Sequence, residues 1–204
     1  MGSPSAINRL RGFLAAGLLA LGLAGCGVNE IPTLEERAKA AWGEVENQYQ
    51  RRADLVPNLV ETVKGYAAHE KEVLEGVVRA RAAAVQAPPP GPAALEDPER
   101  FRDYERRQAE LSGALGRLLA IVENYPELKA NQNFLALQAQ LEGTENRVAV
   151  ARRDYIDAVR AYNTELRTFP GRLWAMVLYQ DAEPLPVFAA DPAARQAPKV
   201  SFGG

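Results

Sequence analysis

From Ala38 onward, the inward-type positions recur at alternating intervals of four and three. They are Ala38, Trp42, Val45, Tyr49, Arg52, Val56, Leu59, Val63, Tyr66, Glu70, Val73, Val77, Ala80 and Ala84. A mean spacing of 3.5 residues sustained this long predicts a supercoiled helix seam. Arg52 and Glu70 interrupt the seam with charge. Thr33 with Glu36 has the form of a capping box and predicts the helix start. Pro57 falls inside the helix. An interior proline removes one hydrogen bond and costs about 3 kcal/mol, so the helix either kinks and continues or restarts with Asp54 as N-cap. The seam keeps phase across Pro57, which favours the kink.

Four prolines within residues 87–93 end this helix in a stiff connector. Asp97-Pro98 then supplies an N-cap with proline at the first helical position. The second helix turns Leu111, Leu115, Leu118 and Val122 inward, and Gly113 and Gly116 predict close approach of a neighbour. Tyr125-Pro126 marks the next turn. The third helix carries Phe134, Leu137, Leu141, Thr144, Val148, Ala151, Tyr155, Val159, Tyr162, Leu166 and Phe169 at threes and fours, and Phe169-Pro170-Gly171 stops it. At 1.5 Å per residue the three helices measure about 75, 40 and 55–60 Å. Short connections make neighbours antiparallel. The predicted fold is all-α: an antiparallel bundle of three to four long helices with coiled-coil-like packing, helix one kinked near Pro57. No strand pattern, internal repeat or phosphate-binding glycine loop is present.

The segment before the first helix reads differently. Arg9 and Arg11 precede an apolar run from Phe13 to Ala24, the layout of a secretory signal. The run is shorter than the roughly 20 residues that span a bilayer. It ends in Leu23-Ala24-Gly25-Cys26, which resembles a bacterial lipoprotein box and makes Cys26 the lipidation site. An uncleaved signal anchor is the alternative, and either leaves a membrane tether. The domain layout is therefore signal peptide 1–25, tether 26–33, helical bundle 34–180 and extended C-terminal tail 181–204. Within this layout Leu173–Tyr179 is either an interfacial membrane segment or, the favoured reading, a plug on the bundle end.

Composition narrows the chemistry. Twenty-four basic residues against 26 acidic ones leave no excess for nucleic acid. One cysteine and one histidine, His69, cannot build a His/Cys metal cage. Val73 stands where a zinc-protease helix beginning at His69-Glu70 would need its second histidine, and Tyr66 where a carboxylate-bridged di-metal site would need glutamate. Glu61, Glu70, Glu142 and Glu145 are the acids available for general acid–base work, and on amphipathic helices such acids ordinarily face water or pair with arginine. No catalytic, cofactor or metal residue is assigned. The candidate interaction residues are Arg51, Arg52, Asp54, Pro57 and Asn58, where carbonyls freed by the proline accept bonds from a partner or from nearby side chains. A structural bend locked by an Arg–Asp network is the other reading, with Glu145-Asn146-Arg147 as an internal counterpart.

Several segments resemble one family: Gln48–Arg52 (QYQRR), Asp54–Glu70 (DLVPNLVETVKGYAAHE), Leu111–Leu118 (LSGALGRL), Glu123–Ala130 (ENYPELKA), Leu141–Arg147 (LEGTENR), Tyr162-Asn163 and Phe169-Pro170-Gly171. This pattern resembles the LemA family over roughly residues 29–202. The resemblance implies an antiparallel bundle of long helices on one side of a bacterial membrane, some members being associated with magnetosome membranes, and it carries no established reaction. Together with the tether it implies a non-enzymatic scaffold in the cell envelope, with the bundle outside the cytoplasm and an envelope protein as partner. An exposed apolar stripe on helix one, beyond the reach of the shorter helix two, would be the docking surface. The alternative is a small-ligand or signal-sensing module using Arg51–Asn58.

Overall fold

The computed structural model describes residues 27–86, 95 and 97–188. The signal peptide, Cys26, the proline connector and the tail beyond 188 lie outside the described residues. The described residues are helical, with no strand: α1 (Glu30–Lys64), α2 (Lys71–Gln86), α3 (Pro98–Val122), α4 (Pro126–Lys129), α5 (Gln132–Glu165) and α6 (Gly171–Val177).

Helix starts follow from local chemistry. Asp97 caps α3 by accepting from the backbone N–H of Glu99 and Arg100, with Pro98 behind it in the first turn. The Asn131 side chain accepts from Phe134 N at 3.1 Å at the start of α5. α1 begins at Glu30, earlier than the Thr33–Glu36 pair predicts. Pro32 falls in the first turn, where its missing N–H breaks no helical bond, and the Thr33 hydroxyl donates to Asn29 O at 2.6 Å.

The longest predicted helix is divided. α1 runs unbroken through Pro57, so the restart at Asp54 does not occur, but it stops at Lys64. Gly65 carries the poorest propensity of any non-proline residue. Beyond it the polar side chains of Tyr66, His69 and Glu70 find partners in the connections around α4. Up to Val63 the predicted seam is buried. After it Tyr66 is exposed and Glu70, Val73 and Ala80 are half-buried, while Val77 and Ala84 keep their predicted inward places and Ala67 and Leu74 join them. In α5 the seam is buried from Phe134 to Tyr162 apart from a half-buried Leu137; Phe169, past the helix end, is 84% exposed.

Two compact units comprise the described residues of Met1–Ala41 with Asp157–Leu185, and of Trp42–Ile156 with Pro186–Gly204. The first buries Ile31, Leu34, Ala38, Val159, Tyr162 and Leu185. Here the tail is held: Asn163 Nδ2 donates to Leu185 O and Leu185 N donates to Asn163 Oδ1, both at 2.9 Å. Gly171 is buried, and a Cβ there would collide with the carbonyl oxygen of Glu165. The plug expected of Leu173–Tyr179 does not form as such: Leu173, Met176, Val177 and Leu178 are exposed.

The second unit has an aliphatic core that includes Val56, Leu59, Val63, Val77, Leu111, Leu115, Leu118 and Leu141. Trp42 packs against Phe101, Tyr104, Tyr155 and Phe188 with ring centroids 5.2–5.9 Å apart. Tilted and edge-on pairs at this range contribute beyond their buried area. Phe188 belongs to the extended segment after α6, and its backbone neighbour Pro186 accepts from the Tyr155 hydroxyl at 2.8 Å. Gly113 and Gly116 do not mediate helix approach. They lie off the inward face of α3, and a Cβ on Gly116 would meet open space. Within the span expected of helix one, no large exposed apolar residue lies between Glu30 and Lys64; those exposed, Tyr66, Val78 and Val85, lie beyond it.

Candidate functional site

Arg52 occupies an inward position of α1, and its side chain is 1% exposed. A buried guanidinium costs free energy unless its donors are paired, and here both terminal nitrogens are paired while Nε is not. One terminal nitrogen, Nη1, donates to Ser112 Oγ at 2.6 Å and to Glu145 Oε1 at 3.1 Å. The other, Nη2, donates to Gln108 Oε1 at 2.7 Å and to Gln108 O at 3.1 Å. The Tyr49 ring lies 5.0 Å below the guanidinium carbon. Gln108 Nε2 in turn donates to Ala84 O at 3.3 Å, and Arg107 Nη1 to Ala83 O at 3.4 Å, so α3 side chains meet carbonyls in the last turn of α2. A single cation thus joins α1, α3 and α5 directly and α2 through Gln108.

Pro57 has a second consequence. Lacking an N–H, it leaves the carbonyl four residues earlier, Ala53 O, without its helical donor. Arg81 of α2 fills the gap, its Nε donating at 2.8 Å. This carbonyl is therefore occupied from within the chain.

The predicted interaction residues are divided by the helix. Arg52 faces inward, while Arg51, Asp54, Pro57 and Asn58 lie on the exposed side. Asp54 Oδ1 accepts from Gln50 Nε2 at 2.7 Å, and Arg52 takes Glu145 as its acid. Gln108, Ser112 and Arg81 complete the constellation, and only Gln108 had a readable signal. Extending the α3 series backwards at threes and fours gives Phe101, Tyr104, Gln108, Leu111 and Leu115, which puts the amide on the inward face.

Two clefts adjoin this hub. A space of about 240 Å³ is lined by Glu46, Tyr49, Ala53, Tyr104 and Gln108 among others. An open groove of about 410 Å³ between α3 and α5 includes Ser112, Gly116, Glu142 and Glu145. Burial raises the phenols of Tyr49 and Tyr104 above the usual tyrosine range, so both stay neutral donors. Burial also raises Glu46, and the Trp42 indole N–H, donating at 2.6 Å, opposes it.

The other acids singled out in the sequence are partnered: Glu61 with Lys64, Glu70 with Tyr125, Glu142 with Gln138 and Glu145 with Arg52. His69 Nε2 lies 2.6 Å from the Tyr125 hydroxyl, which also donates to Glu70 Oε1 at 2.9 Å. Among the described residues, no cluster of three or more His, Cys, Asp or Glu is placed to hold a metal ion. Nor is any described helix long and apolar enough to cross a membrane.

Similarity to known proteins places these features in a wider set. The chain is 29% identical over 164 residues to Magnetosome protein MamQ 2 of Paramagnetospirillum magneticum, covering 73% of this chain and 60% of the relative. It is 27% identical over the same length to Magnetosome protein MamQ of Magnetospirillum gryphiswaldense, with the same coverage. The chain thus spans less than two thirds of the length of these relatives. Residues 41–202, which hold the Arg52 hub, the Pro57 helix and the His69–Tyr125 contact, match the model of the LemA family, and the chain belongs to that family.

Proposed function

We propose that the chain is a non-enzymatic helical scaffold tethered to a membrane of the bacterial envelope. In this reading its outer faces dock other envelope proteins and its bundle stands outside the cytoplasm. The helices pack antiparallel, with α1 bent near Pro57. The tether is residues 26–33, anchored by lipid on Cys26 after the signal is cut, or by residues 1–25 retained as a signal anchor. No cofactor and no nucleic acid takes part.

The observation that carries this reading is the use made of the polar residues of α1. Arg52 is directed at Gln108, Ser112 and Glu145, and the carbonyl freed by Pro57 at Arg81. Polar groups committed to holding helices together favour a structural element over a reactive cleft. The relatives that are magnetosome proteins fit a role at a membrane. Val78 and Val85, exposed and two turns apart on α2, within the span expected of helix one, form the docking face. The test is cross-linking in native membranes followed by mass spectrometry, comparing wild type with V78E/V85E. Loss of the captured protein, with helicity retained, is expected. Equal capture by the double variant counts against the docking face.

A second reading, a small-ligand or signal-sensing module at Arg51–Asn58, is favoured by one observation. Arg52 Nε is buried without a hydrogen-bond partner, and residues that contact its guanidinium line the two clefts, Tyr49 and Gln108 in one and Ser112 and Glu145 in the other. Under that reading a ligand raises the melting temperature of wild type but not of R52Q.

A further inference from the structure

Scattered exposed apolar side chains are normal, but a contiguous set is not. Phe169, Leu173, Met176, Val177 and Leu178 are all exposed, Phe169 at 84% and Met176 at 65%. Leu173, Met176 and Val177 share one face of α6, and Phe169 and Leu178 are exposed immediately before and after that helix. Arg167 and Arg172 are exposed within the same short stretch. Trp174 and Tyr179 are half-buried there, residue types favoured where membrane meets water. α6 has seven residues, about 10 Å of helix, far too short to span a bilayer and long enough to lie along one.

What covers this stripe is indicated by where the chain enters. Gly27 has φ +112°, and a Cβ on it would stand 3.5 Å from Pro170 Cγ and 3.9 Å from Trp174 Nε1. The residue after Cys26 is therefore seated on the start of α6. Whatever is attached at or before Cys26, acyl chains or the apolar run Phe13–Ala24, departs from beside the exposed stripe. A tether at that point holds the stripe at the bilayer surface.

On these grounds, and resting on the tether proposed above, we propose that the Phe169–Leu178 segment is a membrane-seating surface. Its apolar side chains enter the outer part of the lipid layer, and Arg167 and Arg172 lie at the level of the headgroups. The tether supplies retention, and an adjoining apolar contact fixes the first unit against the surface.

The test uses the full chain reconstituted into vesicles of phosphatidylcholine and phosphatidylglycerol, part of the phosphatidylcholine brominated on its acyl chains. Of the two tryptophans, Trp42 is enclosed by the aromatic cluster, so lipid quenching reports Trp174. The expected result is a fall in the Trp174 emission of wild type on binding to the brominated vesicles. The quenchable component should be missing in W174F and lost in L173E/M176E, with circular dichroism unchanged. Vesicle-bound wild type without quenching overturns the inference and leaves the tether standing; a stripe covered by residues 13–24 or by a second copy of the chain gives this result. Undiminished quenching in L173E/M176E overturns it too. A chain that fails to float with the vesicles contradicts the tether and the inference together.

Discussion

The guanidinium of Arg81 donates from Nε to the carbonyl oxygen of Ala53 at 2.8 Å, taking the place of the backbone N–H that Pro57 lacks. This coupling across α1 and α2 is directly testable. R81A should cost about 1–2 kcal/mol in urea unfolding, the range for leaving a partly buried acceptor unpaired. In a P57A background the alanine N–H can serve Ala53 O, and the cost of R81A should fall by about 1 kcal/mol. Equal costs in both backgrounds would show that Arg81 does not act through that carbonyl.

Arg52 sets a larger effect. R52A leaves the buried Gln108 side chain without its charged donor and removes the partner of the partly exposed Glu145. It should destabilise by about 1.5–3 kcal/mol, the range for losing hydrogen bonds to a charged group. Glu145 is 41% exposed, so water screens and solvates it, and E145Q should cost about 1 kcal/mol or less. R52K keeps the charge but cannot reach Ser112, Glu145 and Gln108 in one planar fork, and should fall between the two. Chemical denaturation with a common m-value decides the order.

Two glycines make opposite forecasts. In G171A the new methyl meets the Glu165 carbonyl oxygen, and the chain should lose about 1–3 kcal/mol, as overpacked sites do. In G116A the methyl enters open space on an exposed helix face, and stability should rise by about 0.5–1 kcal/mol. Thermal unfolding of the pair is sufficient.

Glu46 predicts a pH dependence. Burial raises its carboxyl above the ordinary 4.5, so between that value and its folded pKa the native state holds the proton more tightly than the unfolded chain. Its contribution to stability is then present at low pH and is lost as pH rises through the folded pKa. Urea midpoints recorded upward from pH 4.5 should show this component in wild type and a flatter profile in E46Q. An unchanged profile would remove Glu46 as its source.

How far the sequence could be read depended on whether a feature was periodic or three-dimensional. The 3.5-residue rhythm located the buried face of α1 as far as Val63, and that of α5 as far as Tyr162, because burial alone imposes it. It missed the break at Gly65–Glu70, since the rhythm runs on through Tyr66 and Glu70 although both side chains turn to loop partners. Arg52 was visible as a charge in an apolar series, and Glu145 as its counterpart. Arg81 and Ser112 were invisible: one acts across 28 residues and the other across 60, and neither lies on an inward series. The tail docking of Leu185 on Asn163 was equally hidden, because a proline-rich segment carries no pattern that says what it touches.

The central claim is that the buried polar groups of α1, the Arg52 side chain and the Ala53 carbonyl, are committed to holding helices together, so that recognition takes place on outer faces and involves proteins. Native mass spectrometry of the chain released from its own membranes tests this most directly. The account predicts complexes heavier by the mass of a protein subunit, absent in V78E/V85E, and no small-molecule adduct beyond lipid. A stoichiometric small adduct present in wild type and absent in R52Q would contradict it.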